Sequence, residues 1–279
     1  MQTTIFTAYN NTKKFLKSAG ISNFAFEARQ ILRHITGLSN AEILTKYSET
    51  LTPLQQTVLN NIVTRRATGY PLQYILGYWS FFGLDFLVGE GVLIPRPETE
   101  LLVDTALEFL KGKQTANVLD LCSGSGCIAV SIAKNSQSQV LAVEKYQKAY
   151  EFLQKNINKH SATVTPVLAD IFEFTPQRKF DLIVSNPPYV SAKEMEIIDT
   201  ATSFEPDTAL YGGEDGMLFY RKIARDYKDY LTPGGMLAFE VGFSQGEAVA
   251  DLLKTLGYNN VGIKNDLEGI GRVVFGTVN

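Results

Sequence analysis

Asn117-Val118-Leu119-Asp120-Leu121 runs directly into Cys122-Ser123-Gly124-Ser125-Gly126 and then into Cys127-Ile128-Ala129-Val130. The first five residues read as a short buried strand, and the apolar run after Gly126 reads as the start of a helix. Glycines between them let the backbone approach a ligand and let strand and helix pack closely. A strand, a glycine turn and a helix in that order form one unit of a sheet whose strands run parallel.

The texture repeats on either side of this unit. Strands are predicted at 117–121, 139–144, 163–168, 180–185, 235–241, 258–264 and 272–278, and helices at 126–135, 146–158, 217–230 and 245–256. Alternation of this kind implies an α/β domain with a seven-stranded, doubly wound, Rossmann-like sheet. Only a short loop, Asn265 to Gly271, separates the last two strands, so they are expected to pair antiparallel.

The N-terminal residues read differently. Residues 4–19 carry Ile5, Ala8, Phe15 and Leu16 ahead of Gly20; Asn23 precedes a stripe of Phe24, Ala28, Ile31, Leu32 and Ile35 that stops at Gly37. Asn40 is placed to cap a third helix. Thr52-Pro53-Leu54-Gln55 is a capping box with proline at the first helical position, ahead of Val58, Ile62, Val63 and Ala67. A small helical bundle over residues 1–75 is expected. Tyr78, Trp79, Phe81, Phe82 and Phe86 then alternate with glycines over 76–95, which reads as a β-hairpin linker with its aromatic rings packed between domains. Residues 96–279 form the α/β domain, entered through Pro95-Arg96-Pro97-Glu98 and a helix ending near Leu110.

Composition narrows the functional classes. With 45% hydrophobic and 20% charged residues in 279, the chain can bury a sizeable core, and no apolar run approaches the roughly 20 residues of a membrane span. Met1-Gln2-Thr3-Thr4 lacks the pattern of a signal peptide, so the cytoplasm is the expected compartment. Two cysteines, Cys122 and Cys127, exclude a disulfide framework, and with His34 and His160 distant in sequence no metal site is expected. Net charge is uneven. Residues 1–80 hold eight Lys and Arg against three Glu, whereas the remainder carries a net charge of −8. A basic first part suits docking of an acidic protein or RNA, with a solvated helical surface as the plainer alternative; an acidic second part disfavours nucleic acid lying across it.

The glycine loop invites two cofactors. Nicotinamide dinucleotides favour Gly-x-Gly-x-x-Gly with a pyrophosphate at the helix N-terminus, and here Ala129 occupies the third glycine position, which that fingerprint tolerates. Asp120 beside the loop argues against a pyrophosphate and for a cation. S-adenosylmethionine is such a cation, with a sulfonium and an ammonium group and no phosphate. Glu144, at the end of the next strand and 18 residues past Gly126, is placed for ribose hydroxyls. Asp170 is placed for the adenine amino group, with Ile171 beside the ring.

A second site signal is Phe180-Asp181-Leu182-Ile183-Val184-Ser185-Asn186-Pro187-Pro188-Tyr189. Its apolar strand is stopped by two prolines, leaving Asn186, two free carbonyls and the Tyr189 ring held stiffly at a strand's carboxyl end. The Asn186 side-chain oxygen and a proline carbonyl are acceptors that do not titrate. Together they suit an –NH2 group that must be oriented, and a stiff turn after a strand is the plainer alternative.

These segments occur with Ile94-Pro95-Arg96-Pro97-Glu98-Thr99-Glu100, Glu205-Pro206, Ala209-Leu210-Tyr211-Gly212-Gly213-Glu214-Asp215-Gly216 and Pro233-Gly234-Gly235. In that order the chain resembles the release-factor glutamine N5-methyltransferases (HemK/PrmC) over nearly its whole length. Cys122 departs from the resemblance, since many relatives carry glycine there, and Glu144 stands where aspartate is frequent. The resemblance implies S-adenosyl-L-methionine as cofactor, bound by Cys122, Ser123, Gly124, Ser125, Gly126, Glu144, Asp170, Ile171 and Asn186. It implies Asn186, Pro187, Pro188 and Tyr189 as the catalytic segment, with Tyr189 packing on the acceptor amide. The substrate it implies is the glutamine of a Gly-Gly-Gln motif in class-1 peptide chain release factors. A monomer without stable nucleic-acid or membrane partners is expected. The Asn-Pro-Pro-Tyr segment alone is shared with nucleic-acid amino-methyltransferases, and a non-enzymatic S-adenosylmethionine-binding protein is the remaining alternative.

Overall fold

In the computed structural model, residues 3–197 and 204–279 are described; Met1 and Gln2, from the stretch read for a targeting signal, lie outside them. The chain divides into two compact units, one up to Tyr78 together with Phe204 and the other comprising the remaining described residues.

The first unit is helical: α1 (Ile5–Ser18), α2 (Phe24–Thr36), α3 (Asn40–Thr45), α4 (Pro53–Ala67) and α5 (Leu72–Leu76). In α1 the buried stripe is Ile5, Ala8, Thr12 and Leu16, a spacing of three or four that excludes Phe15, which is 48% exposed. Ser39, not Asn40, caps α3: its side chain accepts from the Glu42 N–H, and Glu42 accepts from the Ser39 N–H at 2.9 Å. Serine has the shorter side chain at the extended position where a capping box forms, and Asn40 already belongs to the helix. Asn23 makes no side-chain cap to α2, whereas the Thr52–Gln55 box is present as read. Leu59, Ile62 and Val63 carry the buried face of α4, and Arg66 is paired with Glu27 through two hydrogen bonds at 2.6 and 3.0 Å.

The hairpin consists of β1 (Tyr78–Phe81) and β2 (Leu84–Leu87). Phe81 and Phe86 are fully buried within the core of the second unit, alongside Leu102, Val103 and Ile128. These two rings therefore serve that core, where the sequence pattern assigned them to packing between domains.

The rest of the second unit runs α6 (Glu100–Leu110), β3 (Asn117–Leu121), α7 (Cys127–Asn135), β4 (Gln139–Glu144), α8 (Gln147–His160), β5 (Val164–Leu168), β6 (Phe180–Ser185), α9 (Ala192–Met195), α10 (Leu218–Asp226), β7 (Leu231–Glu240), α11 (Gly246–Thr255), β8 (Asn259–Asn265) and β9 (Gly271–Thr277). Seven strands form one sheet in the order β5-β4-β3-β6-β7-β9-β8. Strands β5 to β7 are parallel; β9 lies antiparallel between β7 and β8. Two boundaries shift and one short helix is added. β7 begins at Leu231 because Pro233-Gly234-Gly235 are carried within it past an irregular register, α10 stops at Asp226 before a 3₁₀ turn at Lys228–Tyr230, and α9 is an addition to the sequence-based elements.

Both faces of the sheet are covered, and the two-residue period of the strands sorts the core. Val118, Val140, Leu182, Val184 and Ala238 meet Leu102, Ile128, Val130 and Leu153 on one side. Leu119, Leu121, Ile183, Leu237 and Phe239 meet Tyr220, Ile223, Val249 and Leu253 on the other. Burial of each such side chain stabilises the fold by roughly 1.5–3 kcal/mol, so two-sided packing rather than strand propensity holds the strands in register. The carboxyl ends of β3, β4 and β6 open on one edge, with β3 flanked by β4 and β6. This is where an open α/β sheet binds its ligand.

Candidate active site

The chain leaves β3 through Cys122, whose backbone is left-handed at φ +62°, a costly conformation for a residue with a Cβ. Ser123 then closes the turn: its N–H donates to the Val143 carbonyl at 3.0 Å and its hydroxyl to the Asp120 carbonyl at 2.9 Å. The two glycines of the loop have different duties. Gly126 caps α7 at φ +80°, and a Cβ there would sit 2.5 Å from Leu153 Cδ1 on α8. Gly124, at φ +54°, would present its Cβ to open space.

Glu144, at the end of β4, is buried and holds the loop from the side. Its two carboxylate oxygens accept from the Gly124 N–H at 2.9 Å and the Tyr146 N–H at 2.8 Å. Burial raises its pKa despite those hydrogen bonds. Asp170 follows β5 and pairs with Lys145 at 2.7 Å while accepting from the Phe172 N–H. Partial burial pulls its pKa upward, and Lys145 with the Phe172 N–H more than offsets this, leaving it below the usual carboxylate value. Ile171 beside it is 4% exposed.

These groups line one cleft, together with Asn186 and Pro188 from the segment after β6. Of the residues singled out in the sequence, Cys122, Ser123, Gly124, Ser125, Glu144, Asp170, Ile171, Asn186 and Pro188 face it. Gly126, Pro187 and Tyr189 lie outside its lining. The Tyr189 carbonyl accepts from Gln245 Nε2 at 3.0 Å, and burial raises the pKa of its hydroxyl. The loop carrying Gly212 and Gly216 presses on the same turn: a Cβ on Gly212 would lie 2.6 Å from Tyr189 Cα, and one on Gly216 2.4 Å from the Tyr189 carbonyl oxygen. Glycine is needed at both positions because backbone meets backbone there.

Sequence reading missed several groups. Arg96 and Thr99 line the cleft, as do Lys145, Tyr146, Phe172 and Phe219. Arg96 is held by Glu205 at 2.6 Å, and the Glu205 side chain is only 2% exposed. The quoted segments Pro95-Arg96-Pro97 and Glu205-Pro206 contained the signal, since a lone Arg and a lone Glu in stiff, proline-bounded loops suit a fixed ion pair. Gln245, which ties Tyr189 to the Gly216 carbonyl, carried no signal in the sequence.

The cleft suits a nucleoside bearing positive charge. Beneath the loop Asp120 is fully buried, neither of its carboxylate oxygens has a hydrogen-bond partner, and burial pushes its pKa up to about 8. A cation bound nearby would favour the ionised form of this carboxyl, whereas a pyrophosphate would not. The cleft's one lysine, Lys145, is already paired with Asp170. Among the described residues no group of three or more His, Cys, Asp or Glu is arranged to hold a metal, and no helix is long and apolar enough to cross a membrane.

Comparison with known proteins extends these observations. A family model for the PrmC N-terminal domain matches residues 7–77, and one for the methyltransferase small domain matches residues 98–219. The release factor glutamine methyltransferase of Geobacter sulfurreducens is 39% identical over 269 residues, which cover 96% of this chain and 94% of the relative. That of Thermodesulfovibrio yellowstonii is 37% identical, covering 91% and 94%. Among solved structures, a methyltransferase from Pyrococcus furiosus shares the fold with a TM-score of 0.53 at 20% identity, covering 81% of this chain and 98% of that one. Identity at this level over nearly the full length of both chains leads to one assignment: the chain belongs to the release factor glutamine methyltransferase family.

Proposed function

We propose that this protein transfers a methyl group from S-adenosylmethionine to the side-chain amide nitrogen, N5, of the glutamine in the Gly-Gly-Gln motif of class-1 peptide chain release factors, in the cytoplasm. The observation that carries the reading is the placement of Asn186 on the wall of the same cleft that Gly124, Glu144 and Asp170 line.

Cys122 to Ser125, with Gly126 capping the helix behind them, and Glu144 would hold the cofactor's ribose and amino-acid ends, and Asp170 with Ile171 would hold its base. S-adenosylmethionine, when bound, supplies an activated methyl group to a weak nucleophile. An amide nitrogen is weak because its lone pair is delocalised into the carbonyl. Asn186 Oδ1 at the cleft wall accepts one amide hydrogen and the Pro187 carbonyl, from the peptide between the lining residues Asn186 and Pro188, accepts the other, which fixes the acceptor's plane and raises electron density on its nitrogen. The prolines make those acceptors rigid, so their orientation costs no ordering during the reaction. Neither histidine lines the cleft, and none is required, because the proton can leave the amide after methyl transfer.

Incubation with labelled S-adenosylmethionine tests the reading. Label is expected in a purified class-1 release factor and absent from ribosomal and transfer RNA. Label in RNA alone would make the protein a nucleic-acid amino-methyltransferase, and label in neither would leave it a binding protein.

A further inference from the structure

Asn186 presents either an oxygen or an NH2 to the cleft depending on which way its amide is turned, and only the oxygen can receive an acceptor's hydrogens. Two buried groups bear on that choice. Thr99 is 2% exposed, and its Oγ1 lies 3.4 Å from Asn186 Nδ2. Glu240 is 3% exposed and ends β7 one step beyond the Ser185–Phe239 pair, so it flanks Asn186 across the β6–β7 register. The Glu240 carboxyl faces both the Thr99 hydroxyl and the Asn186 amide, and its Oε2 has no hydrogen-bond partner.

We propose that Glu240 and Thr99 are positioning residues that fix the Asn186 amide with its nitrogen inward and its oxygen toward the cleft. The argument is one of donor count. A hydroxyl has one proton, and beside a carboxylate it donates that proton to the anion. Its lone pairs are then left to accept from Asn186 Nδ2. Turning the amide over would set Oδ1 against acceptor oxygens in a place water does not reach, an arrangement with no donor between them. The inference rests on the acceptor-clamp reading of Asn186 and deepens it, giving a task to Thr99 in the Pro-Arg-Pro-Glu-Thr segment and to a carboxylate the reaction does not otherwise use.

The device is sensitive to protonation. Burial, with Glu98 nearby, lifts the Glu240 pKa to about 7 against the pull of Thr99, Arg272 and Asn186, while Tyr189, Tyr220 and Cys127 are the other titratable groups that feel its charge. The anion orients the hydroxyl; the neutral acid competes with it as a donor. Activity is therefore expected to fall as pH drops below about 7.

The test measures kcat, the KM for release factor and the S-adenosylmethionine affinity in full-length variants. Glu240→Gln is expected to lower kcat by on the order of 10-fold to 10²-fold, as misorientation of a reacting group does, with KM and cofactor affinity held within about twofold and the acid limb of the pH profile removed. In an Asn186→Ala background the same substitution should have no further effect. Thr99→Val is expected to reproduce the loss and Thr99→Ser to restore activity, which keeps the test decisive where Glu240→Gln destabilises the fold. Equal losses from Glu240→Gln with and without Asn186 would overturn the positioning role and leave the clamp standing. Full activity in Asn186→Ala itself would overturn the clamp. An acid limb retained in Glu240→Gln, or failure of Thr99→Ser to restore turnover, would also reject the proposal.

Discussion

Arg96 reaches across 109 residues of sequence to Glu205, its Nη2 2.6 Å from Oε1, and so fastens the proline-rich segment before α6 to the segment that supplies Pro206, Thr208 and Ala209 to the cleft. Glu205 is the buried partner and Arg96 the third-exposed one. Burial raises the Glu205 pKa and Arg96 lowers it, with burial prevailing. Arg96→Ala should destabilise the protein by about 2 kcal/mol, since it leaves a buried carboxylate with little compensation. The sign with pH follows: Glu205 then has a still higher pKa in the folded state, so the loss is largest at alkaline pH and shrinks as pH falls and the carboxyl protonates. Chemical denaturation of the variant across pH checks this, and Arg96→Ala combined with Glu205→Gln should recover part of the stability. A pH-independent loss would mean the pair matters for packing alone.

The two loop glycines should separate by phenotype. Gly126→Ala drives a Cβ into Leu153 at φ +80° and is expected to lower the thermal midpoint by the equivalent of about 1–3 kcal/mol. Gly124→Ala meets nothing in the protein and costs about 1–2 kcal/mol through its left-handed backbone alone, but, lining the cleft, it should weaken S-adenosylmethionine more than Gly126→Ala does. Calorimetric titration beside thermal melts distinguishes them; identical profiles would contradict the division of duties.

Asp120 should report the charge of the ligand. Its folded pKa of about 8 lies above the ordinary 3.8, so the native state keeps a proton that the unfolded chain has lost. Its contribution to stability therefore falls as pH rises between those values. A bound cation favours the ionised form. Binding of S-adenosylmethionine at pH 7 is expected to release protons, seen as a binding enthalpy that varies with the ionisation enthalpy of the buffer. Asp120→Asn should remove that variation, and S-adenosylhomocysteine, without the sulfonium, should show less of it. A buffer-independent enthalpy for the wild type would contradict ionisation of Asp120 on binding.

Most of the α/β fold was legible because burial on both faces writes near-continuous apolar runs, such as Leu182-Ile183-Val184, between turn residues. The bundle's helices were legible through glycine stops and the Thr52 box, but Ser39 and Asn40 are both good caps and adjacent, so sequence alone chose wrongly. Two acids that line the cleft, Glu144 and Asp170, were legible because each follows an apolar strand. The same signal existed at Glu240, the last residue of an apolar strand, and it went unused because no glycine loop follows it. The placement of Tyr189 away from the cleft depends on Gln245 and on Gly212 and Gly216 packing from distant loops, a tertiary effect with no local pattern.

Charge should govern substrate docking. The excess of Lys and Arg in residues 1–80 motivates a docking role for the helical unit, and electrostatic steering is weakened by salt. Raising ionic strength is expected to raise KM for the intact release factor severalfold more than for a short Gly-Gly-Gln peptide. Charge reversal at Lys13, Lys14 and Lys17 should do the same without changing turnover of the peptide. Equal salt dependence for both substrates would remove the docking role.

Mass mapping of the methyl group on a purified class-1 release factor tests the central claim most directly, with wild-type, Asn186→Ala and Asn186→Asp proteins compared at equal S-adenosylmethionine occupancy. Expected is a single methyl on the amide nitrogen of the Gly-Gly-Gln glutamine with the wild type, a loss of rate on the order of 10²-fold with Asn186→Ala, and strong impairment with Asn186→Asp, which keeps an acceptor but adds charge and loses the inward donor. A methyl on any other residue, or Asn186→Ala turning over near the wild-type rate, would contradict it.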